Sequence, residues 1–146
     1  MRLSTRARYG ARVMLDLALN YGHGLILLKD VAKREELPGK YLSQIVIPLR
    51  AQGLIVSGRG AKGGYMLARQ PAEITMKDIV EALDGELVVT ECARDPRSCD
   101  REEACVTKFA WRMLGDRISE ALDSMTLQDL VEMHHAHGEP ALTYEI

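Results

Sequence analysis

The chain predicts a mainly α fold with a small β-hairpin wing: a winged helix-turn-helix followed by a long helix. Three observations carry that reading. Two helical segments are joined by a tight turn at Leu37-Pro38-Gly39. A hairpin with a glycine-rich tip, GRGAKGG, follows directly. A long amphipathic stretch then fills the second half, after a loop that holds all three cysteines. With 146 residues and 47% apolar content, the chain can bury a core without disulfides.

The first helix is expected over 4–21. Ala7, Ala11, Met14, Ala18 and Tyr21 recur at helical spacing, with Val13 and Leu17 beside them, and Gly22-His23-Gly24 ends it. Residues 28–36 form a short second helix. A third runs from about Gly39 to Gln52 and stops at Gly53. Its core stripe is Leu42, Ile45, Val46 and Leu49, the i, i+3, i+4, i+7 pattern. Lys40, Ser43, Gln44 and Ile47 therefore point the other way. Pro48 removes one backbone hydrogen bond and predicts a kink.

Leu54–Ser57 and Tyr65–Ala68 read as the strands of the hairpin, and Pro71 closes the unit. Residues 75–84 form a helix capped by Thr75, with Asp78 three residues on. After the cysteine loop a helix spans about 103–125, with Val106, Phe109/Ala110, Met113, Ile118, Ala121 and Met125 on one side. Thr126 with Asp129 repeats the cap and opens a last helix to about Met133. The tail from His134 is expected to fray. This divides the chain into a winged helix-turn-helix region at 1–70 (helix-turn-helix about 28–52, wing 54–68) and a region at 71–146 holding the cysteine loop and the later helices.

Charge divides the same way. The net charge of −2 averages a basic half and an acidic one. Residues 1–70 carry twelve Lys/Arg against four Asp/Glu, and residues 71–146 carry seven against seventeen. A basic half suits a polyanion. In a helix-turn-helix the second helix enters the major groove with its N-terminal residues at the base edges. Lys40, Tyr41, Ser43 and Gln44 stand at that end and are expected on the face away from the core. Gln can bond adenine through two contacts, and Lys reaches guanine or phosphate. Arg59 and Lys62 lie at the wing tip, where a basic side chain meets a minor groove or phosphate. Double-stranded DNA is thus the expected partner.

Several function classes fall away. Gly58, Gly60 and Gly63 spell G-x-G-x-x-G, but a nucleotide fingerprint must open a helix, and here a strand follows. The chain has no His-Glu-x-x-His and no Gly-x-Ser-x-Gly, so an enzyme is not expected. No apolar run reaches the roughly 20 residues that span a bilayer, and the N-terminus lacks a signal-peptide pattern. A cytoplasmic location is expected. His134, His135 and His137 read as exposed tail residues rather than as a metal site.

Cys92, Cys99 and Cys105 lie within fourteen residues and are the only cysteines. An odd number cannot pair off internally. Six and then five residues separate them, too many for the short pairs of zinc fingers. Clustered thiolates suit a soft metal or an iron–sulfur cluster, and a metal centre is the expected anchor of so polar a loop.

The opening MRLSTRARYG…MLDLAL, the segment KYLSQI..PLRAQGLIVSGRGAKGGYMLAR and the three-cysteine loop before a long helix together resemble the IscR/NsrR/RirA/CymR-type winged-helix transcription regulators. The resemblance covers about residues 1–133, one family domain of about 2–133. It implies a homodimer joined through the long helix, palindromic operators and, in the cluster-binding branch, three cysteines that ligate a cluster controlling DNA binding. On that basis Cys92, Cys99 and Cys105 are the implied ligands of an iron–sulfur cluster, 2Fe–2S favoured over 4Fe–4S. The first gap is one residue longer than in IscR. The histidine that IscR uses as fourth ligand corresponds to Lys108, and the aspartate of the NsrR type corresponds to Arg8. The candidates for the fourth site are a carboxylate (Glu91, Asp95, Asp100, Glu102 or Glu103), a residue of the partner chain or an exogenous molecule. Tyr41, Gln44 and Arg59 match DNA-contacting positions, while Ser43 replaces a glutamate that IscR uses to discriminate operators. The implied function is a repressor sensing iron–sulfur status, redox or nitric oxide. The alternative is a cluster-free regulator of CymR type, controlled by a partner protein or by thiol oxidation.

Overall fold

The computed structural model describes residues 2–59 and 63–138. Seven helices and one two-stranded antiparallel sheet make up these residues: α1 (Thr5–Leu19), α2 (Leu28–Glu35), α3 (Gly39–Ala51), β1 (Ile55–Gly58), β2 (Gly64–Leu67), α4 (Met76–Asp84), α5 (Glu91–Arg94), α6 (Thr107–Asp123) and α7 (Leu127–Gly138).

Helix α1 starts where Ser4 accepts a hydrogen bond from the Ala7 N–H at 2.9 Å, which satisfies one free donor of the first turn. The helix ends at Leu19, so Tyr21 lies beyond it and is exposed rather than in the core. Gly10 lets α4 come close: a Cβ there would sit 2.1 Å from Leu83 Cδ1. Helix α3 buries Leu42, Ile45, Val46 and Leu49 and leaves Lys40, Ser43, Gln44 and Ile47 exposed, as its spacing predicts. It runs through Pro48 as one helix.

The strands pair Ile55 with Leu67 and Gly58 with Gly64, one residue later at the start of β1 and one earlier in β2 than the sequence pattern suggests. A third segment joins the hairpin. Ile26 exchanges both backbone hydrogen bonds with Tyr65, each at 2.8 Å, and so extends pairing at the base of the wing. Gly64 stands at φ +150, where a Cβ would meet the Ile26 carbonyl oxygen at 2.4 Å. Only glycine fits that approach.

One apolar core joins both halves of the chain. Val13, Met14 and Leu17 of α1 pack with the α3 stripe, with Leu54, Ile55 and Leu67 of the wing, and with Ile74, Ile79, Leu83, Leu127 and Val131. The two threonine caps lie side by side. Thr75 and Asp78 form a reciprocal capping box, and Thr126 and Asp129 bond each other's backbone N–H in the same way. Between them Met76 N–H bonds the Met125 carbonyl and Leu127 N–H bonds the Ile74 carbonyl, each at 2.8 Å. That short bridge brings α7 back onto α1. Helix α7 continues to Gly138, so His134, His135 and His137 are exposed helical residues and the expected fraying from His134 is not seen.

Beside this core, among the described residues, one charged side chain is buried. Asp16 of α1 is 4% exposed and accepts from Arg34 Nε at 2.8 Å and from a second Arg34 nitrogen at 2.7 Å. This two-point bond locks α1 to α2, and it holds the Arg34 guanidinium above its ordinary pKa.

Candidate nucleic-acid interface and cysteine loop

Helix α3 turns a polar edge outward. Lys40 and Gln44 are exposed without a bonded partner among the described residues. Ser43 is also exposed, but its hydroxyl donates to the Gly39 carbonyl at 3.0 Å and caps its own helix turn. Tyr41 differs from its expected place. It is half-buried, packs against the core, and meets Tyr9 of α1 edge to face, with ring centroids 5.7 Å apart and planes at 89°. Aromatic bulk at the start of the stripe draws Tyr41 inward, which spacing alone does not reveal.

Arg59 is exposed at the end of β1. Lys62 lies outside the described residues. The wing is tied to α3 by Arg50, whose guanidinium donates to the Ser57 hydroxyl at 3.2 Å. No helix follows Gly63, so the glycine pattern of the tip serves a hairpin.

The cysteine loop is more ordered than a bare loop. Helix α5 and a short turn at Pro96–Ser98 break it into pieces. Cys92 lies on α5, half-buried, 3.1 Å from the Thr90 hydroxyl. Cys99 is exposed. Cys105 precedes α6, 3.1 Å from the Thr107 hydroxyl. That hydroxyl first, then the Lys108 backbone N–H, holds the Cys105 thiol below its ordinary pKa. Cys99 and Cys105 line one open depression of about 430 Å³, together with Arg101, Ala104, Val106 and Thr107. Cys92 does not line it.

Three thiols suit an iron–sulfur cluster in donor chemistry, but not in placement. Among the described residues no three His, Cys, Asp or Glu side chains gather as a metal-ligand group. The carboxylates nearby are largely committed. Glu102 accepts from Lys108 Nζ at 2.8 Å and from Arg112 at 3.4 Å, and Lys108 also bonds the Glu102 carbonyl at 2.7 Å. The Lys108 bond lowers the Glu102 pKa. Glu91 faces Arg94 at 3.6 Å, and Asp95 accepts the Arg97 N–H at 3.0 Å. Asp100 and Glu103 are exposed and form no ion pair among the described residues. The loop is therefore fastened to α6 by Glu102, Lys108 and Arg112, where the sequence suggested a metal as anchor.

Helix α6 begins at Thr107, later than expected, because residues 101–104 form a turn. None of its residues is buried. Val106, Phe109 and Met113 are 77%, 56% and 63% exposed. Ile118 and Met125, expected on the same stripe, are half-buried instead.

The profile of the Rrf2 family, described as an iron-dependent transcriptional regulator, matches residues 3–133. The transcriptional regulator CymR of Bacillus subtilis is 38% identical over 144 residues, 99% of each chain. A solved structure of CymR, described as the global cysteine regulator of B. subtilis, superposes with a TM-score of 0.75 at 38% identity, covering 91% of this chain and 98% of that one. The structure of IscR from T. potens gives a TM-score of 0.76 at 37% identity, over 94% of this chain and 91% of that one. No helix among the described residues is long and apolar enough to cross a membrane. These relatives are regulators rather than enzymes, and their winged-helix architecture is the one built above from helix stripe, hairpin and turn. The chain belongs to the Rrf2 family of DNA-binding transcriptional regulators.

Proposed function

We propose that the protein is a homodimeric repressor, acting in the cytoplasm on a palindromic operator, whose cysteine loop sets its affinity for DNA. The observation that carries this reading is the contrast between α3, polar on its free edge, and α6, apolar on a face that nothing among the described residues covers. Two copies joined along Val106, Phe109 and Met113 would present two α3 helices to successive half-sites, the arrangement by which helix-turn-helix dimers read palindromes. Lys40, Tyr41, Ser43 and Gln44 then face the major groove, and Arg59 and Lys62 of the wing reach the backbone or the minor groove. Tyr41, braced by Tyr9 and half-buried, is held in place rather than free.

For the loop, the donor types support Cys92, Cys99 and Cys105 as ligands of an iron–sulfur cluster, 2Fe–2S before 4Fe–4S, by which the protein senses iron–sulfur status, redox or nitric oxide. Binding requires Cys92 to leave Thr90 and join the other two. Asp100 and Glu103 are the free carboxylates in reach of the loop's sequence. The protein-built anchor at Glu102 favours a second reading, a cluster-free regulator of CymR type answering to thiol oxidation or a partner protein. Anaerobic purification with iron and sulfide analysis separates the two. Visible charge-transfer absorbance that disappears in Cys92→Ala supports the cluster. Iron-free protein that keeps its DNA affinity after all three Cys→Ser changes, with a partner recovered by pull-down, supports the cluster-free reading.

A further inference from the structure

The start of α1 carries two arginines on one aromatic ring. Arg8 and Arg12 both lie over the ring of Tyr9, with guanidinium carbons 5.8 and 5.4 Å from its centroid. Tyr9 in turn stands against Tyr41, in the first turn of α3. The two arginines are thus carried by an aromatic bracket that ends at the recognition helix. They differ in what else they touch. Arg12 donates through Nε to Glu35 at 3.1 Å and through a second nitrogen to the Glu35 carbonyl, so its charge is already answered. Arg8 is exposed and has no carboxylate partner among the described residues. Asp84, the carboxylate bonded to this end of α1, is taken by the Ser4 N–H and hydroxyl. Arg8 also lines an open depression of about 500 Å³ with Arg2, Leu3, Ser4 and Thr5, a lining with two cations and no acid.

An uncompensated guanidinium on a stacked platform, beside a helix that reads DNA, suits a phosphodiester. Stacking on Tyr9 limits the freedom that Arg8 must give up on binding, and its planar fork matches two phosphate oxygens. We propose that Arg8 is a phosphate-binding residue that clamps the DNA backbone beside the recognition helix, with Tyr9 as the positioning residue that sets both Arg8 and Tyr41. This rests on α3 being the recognition helix. The role is one of affinity and register, not of base choice, because phosphate contacts carry no sequence information.

The test is fluorescence anisotropy of the full-length protein on a labelled 30-bp duplex of random sequence, titrated at several salt concentrations. Each phosphate contact contributes about 0.9 to the slope of log affinity against log salt. Arg8→Gln in both protomers should flatten the slope by about 2, and between 50 and 200 mM salt wild type should lose roughly tenfold more affinity than the variant. Arg8→Lys keeps a point charge and should keep the slope. Circular dichroism at matched concentration checks that both variants are folded, which an exposed substitution should leave unchanged. An unaltered slope in folded Arg8→Gln overturns the proposal, as does a slope lost equally in Arg8→Lys. Wild-type protein with no salt-dependent affinity for any duplex would instead overturn the assignment of α3 as the recognition helix.

Discussion

Helices α3 and α6 carry similar amphipathic patterns and end in opposite situations. In α3 the apolar stripe is closed by α1, α2 and the wing, and its four central residues are buried. In α6 the apolar face stays open, and no residue of the helix is buried. Periodicity therefore shows that a helix has an apolar face, but not whether its own chain covers it. The first helix is packed within the chain, whereas the second leaves its apolar face exposed among the described residues.

The sharpest way to break this comparison is a pair of truncations. Leu49→Ala in α3 empties a fully buried site and should cost about 2–5 kcal/mol. Met113→Ala in α6, measured at concentrations low enough to separate copies, should change stability by no more than about 0.5 kcal/mol. Urea unfolding followed by circular dichroism measures both. Equal losses at the two sites would mean that α6 is part of the monomer core after all. Sedimentation of Met113→Asp then tests the other half of the contrast, since a charge on an open interface should shift dimer toward monomer while α3 stays folded.

A smaller effect separates the partners of the buried charge. Arg34→Met leaves the Asp16 carboxylate in the core without its two donors, and should cost about 1–3 kcal/mol by thermal or urea melts. Asp16→Asn removes the charge that needs compensation and should cost less. If the order is reversed, the pair matters for packing rather than for satisfying the carboxylate.

Next in size are the twin caps. Thr126→Ala removes a helix cap and should cost about 1 kcal/mol, as should Thr75→Ala. Because their backbones are bridged, the double variant should not show the simple sum. Additivity within error would indicate that the bridge transmits nothing between α4 and α7.

Much of the fold was legible because it rests on local chemistry. The α3 stripe, the glycine-tipped hairpin and both Thr–Asp caps are sequence-local patterns, and each stands where its spacing puts it, to within a residue or two. What the pattern missed is nonlocal. Nothing in the spacing of Asp16 and Arg34 announces a buried ion pair eighteen residues apart, nor does Ile26 announce itself as a third partner of the wing. Sequence alone puts Tyr41 on the free face, because the neighbour that draws it inward, Tyr9, lies on another helix. The cysteine loop shows the same limit. Its thiols are plain in the sequence, but the Glu102 anchor spans a turn and two helical steps and has no motif.

That anchor sets the smallest effect, and the one that bears on sensing. Lys108 and Arg112 hold the Glu102 carboxyl below its ordinary pKa of 4.5. A depressed carboxylate contributes to folding above that ordinary value and loses its contribution as pH falls through the folded one. The loop should therefore stay fastened from neutral pH down past 4.5 and loosen only below it. Trp111, the only tryptophan, shares a small cavity with Val89, just before α5, and with Ala93 of α5, so its fluorescence reports on how the loop sits against α6. In the wild type its emission should stay constant until pH falls below 4.5 and then shift to the red. In Glu102→Gln the shifted emission should already be present at neutral pH, with the far-ultraviolet circular dichroism unchanged. If wild type and Glu102→Gln have the same emission at neutral pH, the loop is fastened by something other than Glu102.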